Sequence, residues 1–161
     1  MGSEGIRILG IDPGLNITGY AAVGFAGRDP AIIEAGAIRT DAKAPLAERI
    51  AQIHAALGEL LAELAPDVVA IEKLYAHYKH PRTAILMAHA RGIVLLAAQQ
   101  AGRRVRHLAA TEVKKALTGN GHASKRQVQR AVQSVCRLSE LPEPPDVADA
   151  LAIALCAGRR V

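Results

Sequence analysis

The stretch IRILGIDPG, residues 6–14, guides the interpretation of the whole chain. Its first seven residues are rich in apolar and β-branched side chains, and the Pro-Gly pair that follows has strong turn chemistry. This pattern predicts a buried strand that ends on the carboxylate of Asp12. The segment DVVAIE, residues 67–72, has the same character and predicts another buried strand, which ends on Glu72.

Three further runs have the composition of strands and complete a predicted mixed sheet of five strands. They cover residues 18–25, 31–40 and 103–108. The first two are separated by a Gly, Arg, Asp and Pro turn cluster, which predicts an antiparallel meander with the opening strand.

Apolar residues at helical spacing predict five helices that flank the sheet. The predicted helices cover residues 45–64, 81–100, 111–117, 124–138 and 145–158. Thr111 and Ser124 are the predicted N-caps of the third and fourth helices. Because no internal repeat or interdomain linker is found, we expect one α/β domain over residues 1–161, with residues 1–5 as a short polar N-terminal extension.

Composition limits the possible classes of protein. The chain has 161 residues, half of them apolar, so it can bury one sizeable core without disulfides. Its formal net charge of +5 favours a polyanionic partner such as nucleic acid. The N-terminus lacks the features of a secretory signal, and no apolar run approaches the roughly 20 residues of a membrane span. We therefore expect a cytoplasmic protein with no membrane partner.

The two strand-end acids are predicted to share one cleft. In open α/β sheets, ligands bind in the crevice beyond the carboxyl ends of the strands, and parallel neighbours would bring Asp12 and Glu72 together there. Strand alternation places Gly10 and Asp12 on one face of the first strand, and Ala70 and Glu72 on one face of the other. The simpler alternative is that each acid is only the first polar residue of a loop.

The last predicted helix carries two more acids. Asp146 and Asp149 are three residues apart and therefore lie on one helical face, which Ala150, Ile153 and Ala157 continue as an apolar stripe. The alternative is favourable dipole chemistry, since acids in a first turn stabilise a helix by about 0.3 to 1 kcal/mol. Dipole compensation, however, requires no acid on the core-facing side.

Four carboxylates in one cleft indicate a cation site. They would repel one another and raise one another's pKa values unless cations neutralise them. Ligands that are all oxygen select hard ions, here Mg²⁺ or Mn²⁺. Two such ions about 4 Å apart can activate water and stabilise the leaving 3′ oxygen in phosphodiester hydrolysis.

Five motifs cover nearly the whole length of the chain: IRILGIDPGLNITGYAAVGF, IEKLY around Glu72, ARG at residues 90–92, TEVKKALTGNGHASKRQVQ, and the terminal PDVADALAIALC. In this order and at this spacing they resemble the RuvC family of crossover (Holliday) junction endodeoxyribonucleases. A strand followed by Asp-x-Gly also begins sugar kinases and actin-like ATPases, so the ordered set is the specific signal.

The resemblance implies an RNase H-like fold, a homodimer, and a catalytic, metal-binding tetrad of Asp12, Glu72, Asp146 and Asp149. Some relatives carry His in place of the first acid of the last pair, so Asp146 is the least strictly required member. The implied activity is metal-dependent, paired and symmetric nicking of four-way DNA junctions in recombination and repair, with two Mg²⁺ ions that Mn²⁺ can replace. The implied partner is the branch-migration complex of RuvA with RuvB.

Basic residues near the acids are predicted to contact DNA. These are Lys79, Arg82, Lys114, Lys115, Lys125 and Arg126. The family pattern assigns DNA contact and transition-state support to the lysines that match Lys114 and Lys125, with Lys125 closest to the chemistry and therefore counted as catalytic. A solvated helix face is the ordinary alternative, above all for Lys115.

Tyr75 follows Glu72 by three residues in a polar segment of a chain with only 2% aromatic residues. We predict that its ring stacks on an unpaired base at the branch point, a contact worth about 1 to 3 kcal/mol. RuvC relatives commonly carry Phe there, and Tyr keeps the stacking surface. Five histidines, His77, His80, His89, His107 and His122, suggest no zinc site and are interpreted as surface or loop residues.

The second predicted helix has more apolar surface than one core face needs, which makes it the candidate interface of the homodimer. The residues concerned are Ile85, Leu86, Met87, Ile93 and Leu96.

Two other functional classes stay open for this chain. Residues 12–19 could cradle nucleotide phosphate in an actin-like ATPase, although such enzymes duplicate this fold. A non-catalytic junction-binding module would keep the basic residues and lose the acids.

Overall fold

The computed structural model describes residues 5–27, 29–74 and 80–159. Most of the predicted N-terminal extension, residues 1–4, lies outside the described residues. In chain order the elements are β1 (Ile6–Asp12), β2 (Ile17–Ala26), β3 (Asp29–Arg39), α1 (Leu46–Leu64), β4 (Val68–Glu72), α2 (Pro81–Gln100), β5 (Arg104–Leu108), α3 (Ala110–Thr118), α4 (Lys125–Val135) and α5 (Pro145–Gly158).

The predicted five-stranded mixed sheet is confirmed, with the strand order β3-β2-β1-β4-β5. The meander of β1, β2 and β3 is antiparallel, whereas β4 runs parallel to β1 and β5 runs parallel to β4. Ile11 is opposite Ile71 in the pairing of β1 with β4. Asp12 and Glu72 come one residue later on each strand and therefore leave the sheet at the same edge.

Helices cover both faces of the sheet. On one face, Ile8 and Ala70 belong to a core cluster with α5 and with Val113 of α3 and Val132 of α4. On the other face, Leu9 belongs to a cluster with the buried sides of α1 and α2. Because side chains alternate along a strand, Asp12 and Glu72 lie on the face that α5 covers.

Helix α5 approaches the sheet more closely than any side chain would allow. A Cβ atom on Gly10 would lie 2.2 Å from the carbonyl oxygen of Ala150, and one on Gly19 would lie 2.1 Å from that of Asp146. Gly19 pairs with Asp12 across β1 and β2. The first turn of α5 is therefore held directly over the end of β1.

The helix caps agree only in part with the predictions. Ser124 is confirmed as the N-cap of α4, but the helix ends at Val135, before the predicted 138, and Arg137 takes a positive φ of 53°. The prediction that Thr111 caps α3 is wrong: the N-cap is Ala109, whose extended backbone leads directly from β5 into the helix. None of the helices in the described segments combines the length and the apolar composition that a membrane crossing needs.

We expect Gly10→Ala to lower the free energy of unfolding by about 3 kcal/mol, because the new methyl group would have to push backbone atoms of α5 away from β1. Gly58→Ala is the matched control. Gly58 is an exposed position in α1 with open space around it, so alanine should stabilise that helix by up to about 1 kcal/mol. Thermal unfolding followed by circular dichroism measures both. A Gly10→Ala protein with the same melting temperature as the unsubstituted chain would contradict this close packing.

Candidate active site

The structure brings three of the four predicted acids to one cavity of about 280 Å³. Asp12 reaches it from the end of β1, Glu72 from the end of β4, and Asp149 from the second turn of α5. Lys114 of α3 and Lys125 of α4 line the same cavity. Three carboxylates and two ammonium groups therefore converge from five different elements.

Lys125 is held at the cavity by the start of α4. The Ser124 side chain accepts from the backbone N–H of Gln127, and the Gln127 side chain accepts from the backbone N–H of Ser124. This capping box orients the first turn. The Lys125 ammonium lies 3.4 Å from a carboxylate oxygen of Asp149, which compensates for a cation at the positive end of the helix dipole.

Asp146 lies beside this cavity rather than on its described lining. It lines a different cavity of about 380 Å³ together with Asn16 and Arg49. Its negative charge nevertheless raises the pKa values of both Asp12 and Asp149. The fourth acid is thus electrostatically part of the cluster and stands at its rim.

Asp12 has the most strongly raised pKa of the cluster. Its pKa is raised to about 8, with burial of the carboxyl group as the largest cause. Neighbouring negative charges raise it as well, in the order Asp149, Asp146 and Glu72. The Lys125 charge acts in the opposite direction. In this surrounding the Asp12 carboxylate is stable only with a proton or an added cation close by.

The other two carboxyl groups at the cavity are shifted in the same direction. Burial, and then the Asp149 charge, raise the pKa of Glu72, while the Lys114 charge lowers it. Burial also raises the pKa of Asp149, although its ion pair with Lys125 and a hydrogen bond with Asp12 work against the shift. Lys125 thus partly compensates Asp12 and Asp149, and Lys114 partly compensates Glu72, but the pKa values of all three carboxyl groups stay raised.

The donors fit a hard divalent cation in chemical type, because carboxylate oxygens with raised pKa values gain most from a nearby positive charge. Within the described segments, however, no three His, Cys, Asp or Glu side chains are arranged to hold an ion as they stand. Asp149 instead faces Lys125.

The remaining predicted DNA contacts are arranged more loosely. Lys115 of α3, Arg126 of α4 and Arg82 in the first turn of α2 are exposed and are not among the residues that line the 280 Å³ cavity. Tyr75 and Lys79 lie outside the described residues, so their predicted roles stay predictions.

One residue at the site was assigned no role from the sequence. Arg91 of α2 lines a smaller cavity of about 170 Å³ on which Asp12 and Glu72 also border. The sequence offered one signal, the ARG motif at residues 90–92, which served only as a mark of resemblance. No local pattern could show that its side chain reaches the end of β4.

We expect Asp12→Asn to stabilise the fold at pH 8 in a chelating buffer, because it removes a carboxyl group whose pKa rises from 3.8 to about 8 on folding. The stability linked to this group is fully present below about pH 4 and is lost as the pH rises toward 8. Thermal unfolding should show the variant melting at least roughly 3 °C above the unsubstituted chain at pH 8, the shift that about 1 kcal/mol causes in a chain of this size. The gap should close toward pH 4. An equal gap at both pH values would assign the effect to packing.

Comparison with known proteins gives one consistent family. The family model of crossover junction endodeoxyribonuclease RuvC matches residues 8–157. The protein of that name from Rhodopirellula baltica is 52% identical over 149 residues, which are 92% of this chain and 84% of the relative. The one from Alkaliphilus metalliredigens is 42% identical over 149 residues, 92% of this chain and 90% of the relative.

Solved structures agree with this result. The Thermus thermophilus RuvC structure matches with a TM-score of 0.88 at 35% identity, covering 96% of this chain and 95% of that one. T. thermophilus RuvC in complex with a Holliday junction substrate matches with a TM-score of 0.88 at 36% identity, covering 94% and 92%. The yeast mitochondrial Holliday junction resolvase Ydc2 is 14% identical with a TM-score of 0.70 over 97% of this chain and 79% of its own, and shares the fold. The predicted RNase H-like fold is thereby confirmed. Because the family model spans most of its length and its relatives align over more than nine-tenths of it, the chain belongs to the RuvC family of crossover junction endodeoxyribonucleases.

Proposed function

We propose that this chain is a Holliday junction resolvase, a single nuclease domain that makes paired, symmetric nicks in four-way DNA junctions during recombination and repair. The observation that carries the proposal is the convergence of Asp12, Glu72 and Asp149 on one cavity beside Lys114 and Lys125. Membership of a family named for junction cleavage supports it, as does the match to a relative solved with Holliday junction substrate. The proposed DNA substrate would place this activity in the cytoplasm.

The four acids would hold the divalent cations. We infer Mg²⁺ as the ion, two per site, with Mn²⁺ able to substitute, because all-oxygen donor sets favour such hard ions. Bound ions of this kind lower the pKa of water and stabilise the leaving oxygen of a phosphodiester. Asp12, Glu72 and Asp149 would hold the ions from the lining of the 280 Å³ cavity, and Asp146 would add its carboxylate from beside it.

The two cavity lysines would bring the phosphate chain over the acids. The Lys125 side chain is 65% exposed, so its ammonium can turn from Asp149 toward a phosphate oxygen without crossing the core. Lys114 lies near enough to Glu72 to lower its pKa, and there it would offset the charge of the approaching backbone. Arg82, Lys115 and Arg126 are exposed and would add attraction that does not depend on sequence. For Tyr75 and Lys79 the proposal rests on the sequence alone.

We expect Asp12→Asn and Glu72→Gln each to abolish strand cleavage of a synthetic four-way junction in Mg²⁺, while junction affinity stays equal or rises. Each change removes a cation ligand and one negative charge near the phosphates. Glu59→Gln, at an exposed position of α1, is the matched control and should cut normally. Adding Mg²⁺ should also raise the melting temperature of the unsubstituted chain more than that of Asp12→Asn.

Assays of junction cleavage, duplex cleavage, ATP hydrolysis and junction binding, run in parallel, distinguish the resolvase from the alternative functions. Near-normal junction cutting by either variant would exclude the proposed site. Equal cutting of linear duplex would exclude junction selectivity, and ATP hydrolysis would favour the actin-like class. Tight junction binding by the unsubstituted chain with no cleavage in Mg²⁺ or Mn²⁺ would favour a binding module.

We further propose a homodimer that pairs through α2. Ile85 and Leu96 are 60% and 50% exposed, and they lie about three helical turns apart on one face. Leu86 is 39% exposed beside them. Of the other predicted interface residues, Met87 is half-buried, whereas Ile93 is only 6% exposed and packs in the core, so Ile93 does not belong to this face. Coupling to RuvA with RuvB is proposed from family membership.

Sedimentation should show a dimer at micromolar concentration, and Ile85→Glu with Leu96→Glu should convert it to a folded monomer that has lost paired cutting. Ile33→Glu is the matched control, because Ile33 is 46% exposed on β3, away from α2. An unsubstituted monomer that still makes paired nicks would overturn the dimer proposal.

A further inference from the structure

The Arg91 side chain makes two contacts at the carboxyl end of the sheet. Its Nε donates a hydrogen bond to the backbone carbonyl oxygen of Glu72 at 3.3 Å. Its terminal Nη2 lies 2.5 Å from Nδ1 of His107. Since a guanidinium group can only donate, His107 Nδ1 must be the acceptor and carries no proton in this contact.

These two contacts tie α2 to the last paired residue of β4 and the next-to-last paired residue of β5. Ile71 is opposite His107 and Glu72 is opposite Leu108 in the parallel pairing of β4 with β5. The pairing is extended by a hydrogen bond from the backbone N–H of Lys73 to the carbonyl oxygen of Leu108, 2.8 Å long. Arg91 thus stabilises the carboxyl end of β4, where Glu72 is the last residue of the strand.

The cation that compensates the Glu72 carboxylate is a different residue. Lys114 lowers the Glu72 pKa from the 280 Å³ cavity, whereas Arg91 borders the 170 Å³ cavity and contacts the Glu72 backbone. The geometry is that of a group that orients a functional side chain by holding its main chain.

We propose that Arg91 is a positioning residue that holds the end of β4 so that the Glu72 carboxylate faces the cavity it shares with Asp12 and Asp149. The proposal rests on the proposed nuclease function. Removal of a group that orients a metal ligand typically lowers metal affinity or activity by about 10- to 100-fold. Lysine cannot replace Arg91, because one ammonium group does not reproduce the forked donor geometry that spans Glu72 and His107.

The test compares Arg91→Gln and Arg91→Lys with Arg104→Gln, a matched loss of one positive charge at an exposed position near the start of β5. Three quantities are measured: Mn²⁺ binding without DNA, junction affinity in a chelating buffer, and kcat at saturating junction over a range of Mg²⁺ concentrations. Arg91→Gln and Arg91→Lys should each bind Mn²⁺ more weakly and lower kcat by about 10- to 100-fold. Their junction affinity should stay within about threefold of the Arg104→Gln value.

The outcomes separate the possible roles of Arg91. Normal Mn²⁺ binding and normal kcat in Arg91→Lys would overturn the proposal and leave a role for charge alone. A loss confined to junction affinity would make Arg91 a DNA contact and would also overturn it. If Arg91→Gln unfolds, His107→Leu decides, because it removes the acceptor for Nη2 and leaves the Glu72 contact in place. A smaller loss of Mn²⁺ binding in the folded variant supports the proposed positioning role, whereas no loss overturns it. If the unsubstituted chain cuts no junction, the proposed function fails, and the Mn²⁺ comparison still tests the position of Glu72.

Discussion

The backbone contact between α5 and the sheet is the constraint on which the site depends. Gly10 and Gly19 let the helix lie against β1 and β2 at a distance that a Cβ atom would prevent. The helix is rich in alanine, and ten of its fourteen residues are buried. Close packing therefore fixes both its distance from the sheet and its rotation about its own axis. Asp149 is held beside the end of β1 for this reason, and the separation of Asp149 from Asp12 is set by packing rather than by the attraction of either group.

That packing brings together groups that repel one another. Burial and mutual repulsion raise the pKa values of Asp12, Glu72 and Asp149, so the apolar core on both faces of the sheet has to offset an electrostatic cost. Lys114 and Lys125 reduce that cost without removing it. A cluster with raised pKa values gains free energy from divalent cations, and such cations would also reduce its repulsion of DNA phosphates. The same arrangement thus accounts for both the proposed cofactor and the proposed substrate.

Local patterns in the sequence were sufficient to predict the bounds of elements whose ends are set by nearby residues. The periodicity and the flanking Pro and Gly residues predicted the bounds of β1, α2 and α5 as observed. The Thr111 cap failed because the short connection after β5 places Ala109 in the extended N-cap conformation, whatever the local preference of threonine. The assignment of Ile93 to the exposed face of α2 failed because composition shows that a helix has surplus apolar residues but not which of them the core takes.

The sequence by itself determined the type of fold, the acids at the ends of two parallel strands, and the shared face of Asp146 and Asp149, because each of these follows from a period of two or 3.6 residues. The tertiary structure alone decided that Asp146 stands at the rim, that Lys125 pairs with Asp149, and that Arg91 grips the main chain of Glu72. Each of these contacts joins elements that are distant along the chain. The distances between these groups depend on how closely the helices pack on the sheet. That packing results from contacts throughout the core, so no short stretch of sequence predicts it.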